Sequence, residues 1–135
     1  MIKPLIITTP DQGLHEITDE LARVVSDSGI SEGLCSVFIQ HTSASLTIQE
    51  NADPSARRDL EQWLNRLAPE NDPLYTHTQE GADDMPSHIK SILTNINLAI
   101  PIINYRLALG TWQGVYLWEH RHQGGRRHLL VHISA

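Results

Sequence analysis

The chain has 135 residues, 40% of them hydrophobic, and a formal net charge of −6. That length fits a single domain over residues 1–135, burying roughly two-thirds of the surface its unfolded chain exposes. Ten Lys and Arg gathered on no helix face argue against general nucleic-acid binding, and no apolar run nears the ~20 residues a membrane helix needs.

The opening "MIKPLIITTP" lacks the apolar centre and cleavage site of a secretory leader, so a cytoplasmic protein is expected. Residues 3–9, rich in β-branched side chains and stopped by Pro10 and Gly13, read as a strand. The run 14–29 sets Ile17, Leu21, Val24 and Val25 at helical spacing, with Gly29 as its C-terminal cap. "GLCSVFIQ" is a second strand. Its Cys35 is the only cysteine, so no internal disulfide and no paired-cysteine zinc site can form. "SASLTIQE" is a third strand, or a continuation after a bend.

Asp53-Pro54 is a strong helix start, with Asp as N-cap and Pro at the first helical position. The helix runs to about Leu67, with Ala56, Leu60, Trp63, Leu64 and Leu67 on one face. The polar stretch 68–86 is long for a structureless connection, and such loops are often functional. Asp84 and Pro86 then open a short helix, "SHIKSILTN". The remainder is β: "LAIPIIN", "RLALGTWQGVYLWEH" and "RRHLLVHIS", the last two joined by a turn at Gly124-Gly125. "LAIPIIN" is apolar on both faces, so each face needs a cover. Two glycines bracket Trp112, which predicts a bulge aiming that ring into the core, or a backbone bent to line a pocket or subunit contact. Helices mixed with a run of C-terminal strands give an α+β fold with antiparallel pairing at its end. In the last strand Leu129, Val131 and Ile133 share one face, and His128, Leu130 and His132 the other.

Eight histidines stand out. Metal chemistry needs neutral imidazoles converging near a carboxylate. His41 ends a strand, His77 lies in the polar loop, and His88 sits in the first turn of a helix, where the helix dipole disfavours imidazolium. Each is equally at home as a solvated polar residue, and no spacing matches a known zinc motif. Glu80, Asp83, Asp84 and Glu119 are candidates to position a histidine or to act as general base. Asp84 is also a natural N-cap. Glu119, inside a strand, needs a partner, which Arg126 or Arg127 across the hairpin can supply. Alternatively that arginine pair grips a phosphate with its forked donors.

Four stretches together resemble the secondary thiamine-phosphate synthase, or YjbQ, family: "HTSASLTIQENAD", "YTHTQEGADDMPSHIKSIL", "LALGTWQGVYLWEHR" and "GGRRHLLVHI". The resemblance runs from about Gly33 to Ile133 in the same order. The resemblance implies a compact α+β fold with a mainly antiparallel β-sandwich and two to three helices, assembled as a homotrimer. It implies a polar cluster of His41, His77 and His88 with Glu119 near. It also implies a weak synthase activity joining hydroxymethylpyrimidine diphosphate to a thiazole phosphate. The resulting expectation is an enzyme acting on a phosphorylated small molecule. His41, His77 and His88 would hold a divalent metal, zinc by donor type. Glu119 and Asp84 would serve as acid or base, and Ser43, Arg126 and Arg127 would meet phosphate. The alternatives are a metal-dependent hydrolase or lyase, and a non-enzymatic trimer that binds a metal or metabolite.

Overall fold

A computed structural model describes residues 1–135. Two antiparallel sheets pack face to face. The first runs in the order β1 (Ile2–Thr9), β8 (Gly125–Ser134), β3 (Glu32–Ile39), β5 (Asn97–Ile103) and β6 (Arg106–Leu107). The second is β2 (Gly13–Glu16), β7 (Gln113–Glu119) and β4 (Ala44–Glu50). Between them lies one apolar core, including Cys35, Val37, Leu46, Leu117, Leu129 and Val131, all essentially inaccessible to water. Burial also pushes the Cys35 thiol up to about 11, so it serves as a small apolar side chain.

The period-two pattern explains this packing. In β8, Arg127, Leu129, Val131 and Ile133 face the core, while Arg126, His128 and His132 face out. Strand β7 is buried on both faces: Val115 and Leu117 enter the main core. Tyr116 and Trp118 form a second cluster with Leu14 and Leu64. Helix α2 (Pro54–Leu67) supplies Leu64 and covers that outer face.

Helix α1 (Thr18–Ser28) buries Leu21, Val24 and Val25, and Gly29 closes it in the left-handed conformation at φ 73°. Helix α2 starts as the sequence predicts, with the Asp53 carboxylate accepting from Ser55 N–H at 2.9 Å. Its apolar face is narrower than expected, because Trp63 and Leu67 stay more than half exposed. Helix α3 (Asp84–Leu93) begins three residues earlier than "SHIKSILTN". Asp83 takes the cap position without a capping side-chain bond, and Asp84 lies inside the first turn.

Two further readings differ from expectation. Residues 13–16 are a strand, not the head of a helix, because they pair with β7. The run from Arg106 to His120 breaks into β6 and β7, and Trp112 in the break is 64% exposed instead of reaching the core. In "LAIPIIN", Ile100 and Ile102 enter the core while Pro101 and Ile103 face outward, so the strand is apolar on both faces as the sequence indicates. No helix is long and apolar enough to cross a membrane.

A candidate metal centre beside an uncharged groove

Helix geometry sets the first two donors. Asp84 and His88 are four residues apart on α3, so their side chains share one face. The polar loop before the helix folds back and brings His77 onto the same carboxylate. Its Nε2 lies 2.7 Å from Asp84 Oδ2, and His88 Nε2 lies 3.1 Å from that same oxygen. The three donor atoms lie within 4.8 Å of one another. A tetrahedral ion with bonds of 2.0–2.1 Å spaces its ligand atoms roughly 3.3 Å apart, so the set is close to the size such an ion requires.

The neighbours orient these donors. His88 Nδ1 lies 2.9 Å from the Thr42 carbonyl, at the bend between β3 and β4. A carbonyl can only accept, so Nδ1 carries a proton, and in the neutral ring Nε2 keeps its lone pair. That lone pair faces a carboxylate oxygen, an arrangement stable only with a proton or a cation between them. Asp84 Oδ1 is occupied by Arg121 Nη1 at 2.7 Å, and Arg121 also reaches Asp83 at 3.1 Å and the Glu80 carbonyl at 2.8 Å. The guanidinium thus fixes one oxygen of Asp84 and turns the other toward the histidines. Burial alone would raise the Asp84 pKa, but the His77 and Glu80 hydrogen bonds, together with the charge of Arg121, outweigh it and hold the group as a carboxylate. Asp84 is 2% exposed, whereas the histidines open toward solvent, leaving room for a further ligand.

His41, expected as the third ligand, is engaged elsewhere. Arg127 Nη1 approaches its Nδ1 at 3.2 Å, and the His128 N–H approaches its Nε2 at 2.8 Å. Burial, followed by the charges of Arg127 and His128, pulls its pKa down, with Glu119 opposing. A neutral His41 accepts through one nitrogen only, and both of its nitrogens face Arg127 and the His128 N–H, not the cluster.

Glu119 is completely buried between the two sheets. Arg127 Nε donates to its Oε1 at 2.7 Å and Arg127 Nη2 to its Oε2, while Thr9 Oγ1 donates to Oε1 at 2.6 Å and Arg121 N to Oε2 at 3.1 Å. Burial pushes the Glu119 pKa up, but these bonds win and hold it below the usual range. The residue thus closes the inter-sheet ion pair that the sequence offered as an alternative to catalysis. Gly124 makes the fit possible, since a Cβ there would collide with Thr9 and Glu119. Arg127 also approaches His41 at 3.2 Å and the Ser43 carbonyl at 3.4 Å. Arg126 points to the opposite face of β8. The two arginines cannot form the phosphate fork the sequence suggested, because neighbours in a strand face opposite ways.

Ser43 and His41 do line a shared site. An open groove of about 960 Å³ is lined by His88, His41, Thr42, Ser43 and Ser91 together with Phe38 and Ile96. His120, one residue beyond β7, is 1% exposed and bonded to Ser45 Oγ at 2.9 Å. Burial drives its pKa down to about 3, assisted by Lys90 and Arg127. Sequence reasoning missed Arg121 and Thr42, which hold the donors without supplying one. The i, i+4 relation of Asp84 and His88 was a usable signal for the carboxylate.

The sequence matches the profile of the family described as UPF0047 protein YjbQ-like over residues 3–135. The chain belongs to this family. It is 52% identical over 131 residues to a UPF0047 protein of Synechocystis, covering 97% of this chain and 89% of that one. Against the YjbQ protein of Escherichia coli O157:H7 the identity is 44% over 134 residues, covering 98% and 96%. The crystal structure of a conserved hypothetical protein from Thermus thermophilus superposes with a TM-score of 0.87 at 36% identity, covering 98% of this chain and 99% of that one.

Proposed function

We propose that this YjbQ-family chain is a metal-dependent enzyme of a phosphorylated small molecule, with one divalent ion on His77, Asp84 and His88. The observation that carries this reading is the convergence of donor atoms from His77, Asp84 and His88 within 4.8 Å of one another, with the Thr42 carbonyl holding the His88 ring by its Nδ1. Two nitrogens and a carboxylate oxygen with an open position suit zinc, which would supply Lewis-acid polarisation of a bound oxygen. The chain's own residues orient that centre: Arg121 holds Asp84, Thr42 holds His88, and the groove receives the substrate.

The resemblance adds thiamine-phosphate synthesis as the finer reading. It would require the ion to carry the diphosphate leaving group alone, because Arg127 is spent on Glu119 and no Lys or Arg lines the groove. That need supports single-substrate hydrolysis or elimination at least as well as the synthase. A homotrimer belongs to the same reading. The outer face of the larger sheet exposes Ile2, Ile6, Leu34, Phe38 and Ile103, an apolar surface suited to copies of the chain. Sedimentation at micromolar concentration should give three times the chain mass; a single-chain mass would refute it.

Cobalt(II) substitution tests the centre. The native chain should develop the visible absorption of a low-coordinate cobalt site, and Asp84→Asn or His88→Ala should abolish it. The same spectrum in both variants would overturn the assignment.

A further inference from the structure

The groove wall carries no formal charge. Of its eleven lining residues none is Asp, Glu, Lys or Arg. Its two histidines are His88, one of the proposed ligands, and His41, which faces Arg127 and the His128 N–H. Its apolar lining includes Phe38, Ile92 and Ile96, of which Ile92 is 82% exposed and stands one helical turn beyond His88. Neutral hydroxyls make up much of the rest. Ser91, itself 5% exposed, borders the groove.

We infer that the groove binds a small molecule with a single metal-binding anionic head and an uncharged, partly apolar body. This rests on the metal reading above. The head sits on the ion at the His88 end, a neutral polar atom of the body reaches the Ser91 hydroxyl, and the apolar remainder lies against Phe38, Ile92 and Ile96. A second anionic group on the body meets no cation in the groove wall and lies beside apolar side chains, which disfavours it. Charge complementarity therefore selects singly anionic over doubly anionic ligands, and separates this site from one built for a diphosphate paired with a second phosphate.

Three probes test the inference on the zinc-loaded native chain by titration calorimetry: methylphosphonate, phenylphosphonate and 4-carboxyphenylphosphonate. Phenylphosphonate should bind roughly tenfold or more tightly than methylphosphonate, as expected for burial of one ring. The added carboxylate should cost at least about tenfold. Ile92→Lys, at an exposed position, should keep its zinc and restore the carboxylate-bearing probe to within a few-fold of phenylphosphonate. Equal affinities for all three probes on zinc-loaded protein would overturn the uncharged-body inference and leave the metal centre standing. A chain that takes up no zinc would overturn the metal reading and this inference with it. Ile92→Lys protein that changes its oligomeric state while its probe affinities stay unchanged would assign the groove to a second copy of the chain, and would overturn the inference too.

Discussion

Replacing Arg127 by Ala should unfold the sandwich far more readily than any exposed arginine change. The substitution removes both guanidinium contacts to Glu119 and leaves a carboxylate of zero exposure with only Thr9 and the Arg121 N–H. A hydrogen bond to a charged group contributes about 1.5–3 kcal/mol, so two such bonds give about 3–6 kcal/mol. Breaking a buried pair from one side costs about 3–5 kcal/mol, which agrees. With about 2.1 cal/mol/K of unfolding entropy per residue, a chain of this length should lose roughly 10–18 °C of Tm. Removing both partners, Arg127→Leu with Glu119→Leu, should recover most of the loss, because no charge is then stranded. The pH dependence has a definite sign. The depressed Glu119 pKa gives stability that is present above the unfolded carboxylate value and lost as pH falls through the folded one. The deficit of Arg127→Ala should therefore shrink in acid, where Glu119 protonates in both proteins. Thermal and urea unfolding followed by circular dichroism measures all of this. An Arg127→Ala protein within about 1 kcal/mol of the native chain, or a double variant no better than the single, would refute the ion-pair argument.

Two further outcomes follow from other sites. His120 is held neutral with its pKa near 3, so the unfolded chain alone takes up its proton as pH drops below the ordinary histidine value of about 6.5. Stability should fall toward acid by up to about 1.4 kcal/mol per pH unit, and His120→Gln should flatten that slope between pH 6 and 5; an unchanged slope would exclude the residue as its source. Arg121→Gln frees Asp84 Oδ1 and should weaken zinc binding about 10- to 100-fold without displacing a ligand, as loss of an orienting contact does; unchanged affinity would show that the guanidinium only ties the loop down.

What could be read in the sequence was what rests on local periodicity. The Asp53-Pro54 start, the Gly29 cap and the inward set Leu129, Val131 and Ile133 all follow from neighbours within a few residues. The elements that escaped depend on distant partners. Residues 13–16 become a strand only because β7 lies alongside, and Trp112 stays outside because the chain turns between β6 and β7. The site divides in the same way. His77 and His88 were visible as candidates, and Asp84 shares a helix face with His88. By contrast, the engagement of His41 by Arg127 joins residues 86 positions apart, and that of Asp84 by Arg121 joins residues 37 apart. Spacing along the chain carries no information about such contacts, which are set by how the hairpin folds over the helix.

Zinc stoichiometry of untagged protein tests the metal centre most directly. After zinc loading and dialysis, the native chain should retain one equivalent. His77→Ala, Asp84→Asn and His88→Ala should each lose it, with double variants no worse than the singles because a two-ligand site is already broken. His41→Ala should keep its zinc, since its nitrogens face Arg127 and His128. Full retention in His88→Ala, or a loss in His41→Ala equal to that in Asp84→Asn, would contradict the assigned donor set.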